Sequence, residues 1–227
     1  MKQEYIYNLT LPELIIFSEK EGYTKGNALA LWKNLYRNKV ESWAECVNVN
    51  EKYLTAIKKQ YSLQLPQVKI KRIATDKTVK FLLELSDGNL IESVLMHNKY
   101  GMSLCITSQV GCNMGCSFCA SGLLGKKRDL MVGEFISQIM VANQYIKKNI
   151  ASAKVVTNVV IMGIGEPFDN YENFKKAVTI LKEENGLAIA SRKITVSTSG
   201  LSPQIINFAN DNININRNAL PYLHYID

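Results

Sequence analysis

Several features are scarce or missing in this sequence of 227 residues, and each absence narrows the function classes. No apolar run approaches the roughly 18 residues that a membrane-spanning helix needs. The first five residues lack the apolar stretch of a signal peptide. The sequence has two histidines, and none of its five cysteines follows Cys119. These absences predict a cytoplasmic protein with free thiols, no membrane partner and few nitrogen ligands for a metal.

The overall composition is that of an ordinary globular protein with excess positive charge. Hydrophobic residues make up 47% and charged residues 21% of the chain, which is typical of globular domains. The formal net charge of +7 is compatible with a nucleic-acid partner, because phosphates attract lysine and arginine. Many basic proteins bind no nucleic acid, so the charge alone leaves this question open.

The most informative feature present is a group of three cysteines, Cys112, Cys116 and Cys119, in a C-x3-C-x2-C spacing. Three thiolates can hold three corners of a [4Fe-4S] cluster. The fourth iron then stays open to a small molecule. An open iron allows such a cluster to bind S-adenosylmethionine and to cleave it with one electron, which gives a 5′-deoxyadenosyl radical. The spacing therefore predicts a [4Fe-4S] cluster and S-adenosylmethionine as cofactors.

Other uses of the three cysteines are less well supported. A structural zinc site usually takes four ligands, often as two separated pairs, and no second cysteine pair is present. A disulfide knot does not suit a cytosolic chain. A thioredoxin-like C-x-x-C motif has a different sequence context, and Cys112 adds a third thiol to it.

The hydrophobic pattern divides the chain into three parts. Apolar residues at helical spacing predict a small helical domain over residues 1–66. Alternating residues around a predicted Asp-Gly turn indicate an antiparallel β meander over 67–97. Strands and helices then alternate over 98–227, which predicts parallel strands joined by right-handed crossovers. The fold class is therefore α/β.

Three loops with unusual chemistry each follow a predicted strand of this third part. They are the cysteine loop, the segment from Gly163 to Pro167 and the segment from Ser197 to Gly200. The carboxyl ends of parallel strands meet at one edge of the sheet, so we expect the three loops to share a rim. Gly163 and Gly165 could also indicate a dinucleotide-binding loop, but Glu166 and Pro167 replace the expected start of a glycine-bearing helix.

Together these motifs resemble the RlmN/Cfr family of radical-SAM RNA methyltransferases, over about residues 9–208. The resemblance implies a truncated radical-SAM partial (β/α) barrel preceded by the helical domain and the meander. The sequence from Ile91 to Val94 is more similar to the RlmN branch, which methylates C2 of adenine, than to the Cfr branch, which methylates C8. The segments that carry the resemblance are Cys105–Cys112, Gly125–Arg128, Gly133–Glu134, Ile161–Pro167 and Ile194–Gly200.

The resemblance implies a reaction and its partners. Family members methylate an adenosine in 23S ribosomal RNA, and RlmN-type members also methylate certain tRNAs. One S-adenosylmethionine first methylates a cysteine near the carboxyl end of the protein, and a second supplies the radical that activates this methyl group. A disulfide then helps to release the product. The electron comes from a donor such as flavodoxin or ferredoxin, and we expect a monomer.

The resemblance also implies roles for individual residues. Glu92 matches the base that removes the C2 proton, and Cys105 matches the cysteine that resolves the protein–RNA adduct. Gly165, Glu166 and Ser197 match contacts to S-adenosylmethionine. From the residues alone, Glu92 reads as a surface carboxylate, Cys105 as a small buried hydrophobe and Ser197 as the end of a strand. The basic run Lys126, Lys127 and Arg128 reads as a solvated face.

The carboxyl-terminal sequence departs from the family pattern. Family members carry further βα units and the methyl-carrying cysteine, whereas here we expect the next strand to dissolve after Ile215 and a shifted remnant of its loop at Leu223 and His224. From this we expect an exposed sheet edge, poor solubility and no completed methylation. The alternatives are a non-catalytic iron–sulfur or RNA-binding fragment and a Cfr-like C8 methyltransferase.

Overall fold

The structure is a computed structural model, and it describes residues 3–99, 101–150 and 154–219. Its six α-helices and eleven strands agree with the predicted mixed α/β class. None of the helices among these residues has the length and hydropathy required to cross a bilayer. The helices are α1 (Leu11–Lys20), α2 (Lys25–Lys33), α3 (Glu51–Gln60), α4 (Val132–Asn149), α5 (Tyr171–Lys182) and α6 (Ser202–Asn210). The strands are β1 (Glu4–Tyr5), β2 (Tyr61–Ser62), β3 (Gln67–Ile73), β4 (Val79–Glu84), β5 (Leu90–Asn98), β6 (Gly101–Ile106), β7 (Gln109–Val110), β8 (Arg128–Asp129), β9 (Val156–Ile161), β10 (Ile194–Thr198) and β11 (Asn216–Ala219).

The three amino-terminal helices form the predicted helical region. Thr10 and Glu13 cap α1 reciprocally, because the Thr10 hydroxyl accepts from the Glu13 N–H and the Glu13 carboxylate accepts from the Thr10 N–H. Trp32 is buried in the core, as its apolar spacing predicts, whereas Trp43 and Cys46 are only partly buried. Gly133 at the start of α4 donates its N–H to the Asn8 side chain at 2.7 Å, which ties this region to the sheet region.

One seven-stranded sheet forms the centre of the molecule, in the order β11-β10-β9-β6-β5-β4-β3. The strands from β6 to β11 in this sheet run parallel, as the strand–helix alternation predicts. The strands β3, β4 and β5 form the predicted antiparallel meander, and β5 pairs directly with β6. The boundary predicted at residue 97 therefore lies within a continuous sheet, and the division into domains stays a prediction.

Helix α4 covers the centre of the sheet and carries much of the core. Thirteen of its residues are buried, among them Phe135, Ile136 and Ile139. Its polar residue Gln138 is also buried, and its side chain accepts hydrogen bonds from Ser93 of β5 and from the backbone N–H of Thr107. This amide joins the antiparallel strands to the end of β6, where the cysteine loop begins.

The expectation that the chain loses its strand after Ile215 is wrong. Residues Asn216–Ala219 form β11, which pairs in parallel with β10 over four residue pairs from Thr195↔Asn216 to Thr198↔Ala219. A strand of polar residues can form here because its backbone hydrogen-bonds to the backbone of β10. The predicted remnant at Leu223 and His224 lies outside the described residues.

Candidate active site

The loops that follow β6, β9 and β10 enclose one cavity at the carboxyl ends of the parallel strands. Its volume of about 280 Å³ approaches the lower end of typical ligand pockets, about 300 Å³. It collects six of the eight residues predicted from sequence. These six lining residues are Cys112, Cys116, Cys119, Gly165, Glu166 and Ser197.

A short antiparallel ladder closes the cysteine loop at its base. β7 pairs with β8, and the Lys127 N–H donates to the Val110 carbonyl at 2.8 Å. Gly111 has a φ of +78°, and a Cβ atom there would lie 1.7 Å from the Gly125 carbonyl oxygen. Only glycine therefore allows the two ends of the loop to approach this closely. The ladder holds all three cysteines on one compact loop over the sheet.

The thiol of Cys112 is the most enclosed of the three cysteine thiols. Burial raises its pKa, the neighbouring Cys116, Cys119 and Glu166 raise it further, and the Met114 N–H partly opposes them. A bound cation would reverse this balance, because it stabilises thiolates. The described residues contain no group of three His, Cys, Asp or Glu side chains that converges on a single metal ion. A cubic cluster needs no such convergence, since each of its thiolates binds a different iron.

The loop after β9 packs tightly against the loop after β6. Gly165 has a φ of +102°, and a Cβ atom there would lie 2.6 Å from Cβ and 2.7 Å from N of Gln109. The Ile164 carbonyl accepts from the N–H groups of Ser108 and Gln109 at 2.9 and 3.2 Å. Glycine is therefore required at position 165 by both the backbone angle and the contact.

The Glu166 carboxylate fixes the third loop of the rim. Its Oε2 accepts from the N–H and the hydroxyl of Ser199 at 2.7 and 2.9 Å, and its Oε1 accepts from the Phe168 N–H at 2.9 Å. The side chain is buried, with 3% of its residue surface exposed. Each carboxylate oxygen has two acceptor positions, so a buried charge with three donors can still accept from a ligand ammonium group.

Ser197, the second-last residue of β10, lies at the wall of the cavity. Its hydroxyl oxygen is buried and has no hydrogen-bond partner among the described residues. A buried hydroxyl without a partner costs stability, and natural proteins usually satisfy such groups. This unpaired hydroxyl fits a site that gains a polar ligand.

Sequence reasoning missed a polar network beneath this cavity. Gln109 is fully buried; its amide nitrogen donates to Asp129 and Asp169 at 2.7 and 2.8 Å, and its carbonyl oxygen accepts from the Glu166 N–H at 2.9 Å. Asn170 adds two further bonds to the carbonyls of Ser108 and Leu130, both at 2.9 Å. The available signal was the position of Gln109 between strand β6 and the first cysteine.

The reading of the basic run as a solvated face is wrong for two of its three residues. The Lys126 ammonium lies 2.8 Å from Asp129 and 2.7 Å from Asp169. The Arg128 guanidinium binds both oxygens of the fully buried Glu134. Asp129 and Glu134 lie only three and six residues from their partners, but Asp169 lies 43 residues from Lys126, so the run alone did not reveal the network. Lys127 is exposed.

Cys105 lies beside the cavity on β6 and does not line it. It pairs with Val94 of β5 and Val160 of β9 and is half-buried. Burial raises the pKa of its thiol, and the backbone N–H of Met162, a residue of the cavity wall, partly opposes this. Both the buried-hydrophobe reading and a role in thiol chemistry are compatible with this position.

Glu92 lies on the same face of the sheet as Cys105. Val94 lies directly opposite Cys105, and Glu92 is two residues before Val94 on β5, so all three side chains share one face. Its carboxylate forms an ion pair with Lys80 at 2.7 Å and is 37% exposed. It lines a second cavity, of about 170 Å³, together with Ile70, Arg72, Lys80 and Leu82. The carboxylate is thus accessible and paired, and its role as a base stays a prediction.

The chain is similar to known proteins over most of its length. It matches curated relatives from Acholeplasma laidlawii (49% identity over 211 residues), Streptococcus gordonii (46% over 211) and Shouchella clausii (46% over 216). Each is named "Probable dual-specificity RNA methyltransferase RlmN". The matches cover 93–95% of this chain and 58–61% of the relatives. The chain therefore spans about three fifths of their length.

Comparison of structures and family models gives the same relationship. A crystal structure of a radical SAM methyltransferase from Sphaerobacter thermophilus superposes with a TM-score of 0.88 at 33% identity, over 95% of this chain and 63% of that one. The model of the radical SAM superfamily matches residues 106–221, which include the cysteine loop and both neighbouring rim loops. This chain belongs to the radical SAM superfamily.

Proposed function

We propose that this chain provides the radical-generating and adenosine-contacting part of an RNA methyltransferase that acts on C2 of an adenosine in 23S rRNA and in tRNA. The observation that carries the proposal is the single cavity that gathers the three cysteines with Gly165, Glu166 and Ser197. The names of the curated relatives supply the RNA substrate class.

The cavity suits a [4Fe-4S] cluster and S-adenosylmethionine. Cys112, Cys116 and Cys119 would hold the cluster, which when bound supplies the electron that cleaves S-adenosylmethionine to a 5′-deoxyadenosyl radical. Glu166 is buried beside them and would accept hydrogen bonds from the ammonium group of the methionine moiety. Ser197 would give its unpaired hydroxyl to a polar atom of the same ligand.

Glu92 and Cys105 serve the RNA side of the reaction in this proposal. The C2–H of adenine is not acidic, so ordinary nucleophilic methyl transfer fails there, and a base removes the proton only after a carbon radical has added. Glu92 would hold that proton, and the Cys105 thiol would act on the protein–RNA adduct. Their common face of the sheet lets one nucleotide contact both groups.

Partners and location belong to the same proposal. A flavodoxin or ferredoxin would deliver the electron, the protein would act as a monomer, and it would work in the cytoplasm, where ribosomal RNA and tRNA are modified.

Anaerobic reconstitution tests the proposal directly. The chain would be loaded with iron and sulfide, reduced with dithionite and incubated with S-adenosylmethionine, with and without a 23S rRNA fragment. We expect 5′-deoxyadenosine in quantitative chromatography. A bound cluster without 5′-deoxyadenosine would overturn the proposal in favour of a non-catalytic iron–sulfur protein. In any methylated RNA, 2-methyladenosine would support the C2 assignment and 8-methyladenosine would contradict it.

A further inference from the structure

The cavity beside Glu92 is lined by four further side chains to which the proposed function assigns no role. Its lining combines an apolar floor, formed by Ile70 and Leu82, with two cations, Arg72 and Lys80. We propose that Arg72 and Lys80 bind a backbone phosphate of single-stranded RNA next to the target adenosine. This inference rests on the proposed function, and it adds a phosphate subsite on the meander.

The strand register brings the two cations together. Arg72 of β3 lies opposite Lys80 of β4, and Lys80 lies opposite Val94 of β5, which in turn lies opposite Cys105. Directly opposed residues point to the same face of a sheet. The row crosses three strand spacings of about 4.8 Å, so Arg72 stands roughly 14 Å from Cys105. Two consecutive nucleotides cover a distance of this order.

The neighbouring row supplies the surface for a base. Ile70, Leu82 and Glu92 are opposed in the same way on adjacent strands and line the same cavity. The base of the nucleotide next to the target adenosine can pack on the two aliphatic side chains. That nucleotide thus finds an apolar floor and two cations within one cavity.

The charges of this face are available to a ligand. β3 is an edge strand whose seven residues are all exposed. Among the described residues, Arg72 has no ion-pair partner. An exposed arginine with its donors free is well suited to bidentate binding of phosphate.

Lys80 links phosphate binding to Glu92. In the free protein its ammonium is 2.7 Å from the Glu92 carboxylate. A phosphate held by Arg72 would compete for that ammonium, because both anions need the same donor. RNA binding would therefore draw Lys80 away from Glu92 and leave the carboxylate free for the adenosine, so that Lys80 acts as a positioning residue.

Salt-dependent RNA binding tests the subsite. The probe is a fluorescein-labelled RNA hairpin with an unpaired adenosine, titrated by anisotropy over a range of potassium chloride concentrations. We expect Arg72→Met and Lys80→Met each to reduce the magnitude of the slope of log K against log[salt] by up to about 0.7, the value for the one phosphate that they share on a single strand. Inorganic phosphate at matched ionic strength should not compete at the concentrations at which the hairpin binds.

Lys71→Met is the matched control. Lys71 precedes Arg72 on the same strand but lies on the opposite face, 5.1 Å from the centre of the Tyr145 ring. Lys71→Met removes one positive charge, as Arg72→Met and Lys80→Met do. A general electrostatic effect would therefore change the salt dependence of RNA binding equally in all three variants. Equal slopes for Arg72→Met, Lys80→Met and Lys71→Met would overturn the subsite while leaving the proposed function intact. Absence of RNA binding by the unmodified chain would overturn both.

A double-mutant cycle tests the link to Glu92. We expect Glu92→Gln to tighten hairpin binding by about twofold to fivefold, because Glu92 then no longer competes with the phosphate for the Lys80 ammonium. This range corresponds to the strength of a partly exposed ion pair. In the Lys80→Met background this gain should be smaller. The same gain in both backgrounds would show that Lys80 is not shared between carboxylate and phosphate.

Discussion

The two halves of the central sheet present their functional groups in different ways. In the parallel half, backbone hydrogen bonds join the loops, such as Gly163 N–H to the Ile106 carbonyl at 3.0 Å. The cavity residues there are held by buried side chains such as Gln109 and Glu166. In the antiparallel half, Arg72, Lys80 and Glu92 reach out from an open sheet face that ends in an exposed edge strand.

The difference matches the demands of the two ligands proposed for them. A cofactor that undergoes bond cleavage needs its contacts fixed in advance, which buried networks and tight backbone packing provide. An RNA strand arrives from solvent and must displace water and counterions, so exposed cations suit it. Under the proposed function, one sheet would combine a rigid cofactor site with an accessible substrate face.

The largest expected effect is a substitution that abolishes the function of the parallel half and leaves that of the antiparallel half intact. Cys116→Ala should abolish the visible absorbance of the reconstituted cluster and all detectable 5′-deoxyadenosine, because two thiolates do not hold a cubic cluster at three corners. Hairpin binding should persist, since it depends on the other half. Cys46→Ala, far from the cavity in sequence and partly buried, is the control that should keep both properties. Cluster formation by Cys116→Ala would contradict the site.

Arg128 connects the halves, and its removal should cause a large loss of stability. Its guanidinium binds the buried Glu134 of α4 and Asp87 in the turn between β4 and β5. Arg128→Met leaves the Glu134 charge buried without its partner, which should lower the free energy of unfolding by about 3 kcal/mol. Urea denaturation measures the change. The exposed neighbour in Lys127→Met should change it little, and equal losses in the two variants would count against the connection.

Glycine substitutions compare the two halves at two positions that both have positive φ. Gly165 (φ +102°) and Gly88 (φ +82°) both have positive φ, but only at Gly165 would a Cβ collide with neighbouring atoms. Gly88→Ala should cost about 1 kcal/mol from backbone strain alone, and Gly165→Ala about 1 to 3 kcal/mol more. Gly165→Ala should also weaken binding of S-adenosylmethionine in equilibrium dialysis. Equal stability of the two variants would show that the loops can separate without cost.

Acid should weaken both halves through their paired carboxylates. The hydrogen bond from Arg128 holds the pKa of Asp87 well below its usual range, and the bond from Lys126 lowers that of Asp169. Such groups contribute stability above their unfolded pKa of about 3.9, and this stability is lost as the pH falls through the lowered folded values. Thermal unfolding between pH 5 and pH 2 should follow this course. Arg128→Met should lose less stability over that range, because its Asp87 lacks the arginine and keeps only the hydrogen bonds from Asn89.

The smallest effect should be at Ser197. Its hydroxyl has no partner among the described residues, so Ser197→Ala should leave the melting temperature unchanged or slightly raised. Binding of S-adenosylmethionine should weaken by about twofold to tenfold, the loss of one hydrogen bond. Ser199→Ala removes a hydroxyl that already bonds to Glu166 at 2.9 Å and should instead lower the melting temperature. Unchanged ligand binding by Ser197→Ala would remove this residue from the site.

The sequence predicted the parts of the site that are local in the chain. The cysteine spacing, the Gly165–Glu166 motif and the end of β10 each lie within a few residues, and strand–helix alternation was enough to place them on one rim. Apolar periodicity is also a local signal. It is strong in helices α4 and α5 and in strands β9 and β10, so these elements were predictable.

Features that depend on distant residues were not predictable from the sequence. The partners of Arg128 are six and 41 residues away in sequence, and a run of basic residues gives no sign of them. Strand β11 was missed because its polar residues lack the apolar signal of a strand, and pairing with β10 determines its conformation. The pairing of Lys80 with Glu92 likewise depends on strand register.

Electron paramagnetic resonance of the reduced, reconstituted chain, recorded with and without S-adenosylmethionine, tests the central claim most directly. The cavity joins the three cysteines to Glu166 and Ser197, so S-adenosylmethionine should bind at the cluster and change its spectrum, and the change should weaken in Ser197→Ala. A cluster spectrum that stays the same when S-adenosylmethionine is added would contradict the assignment of this cavity to both cofactors.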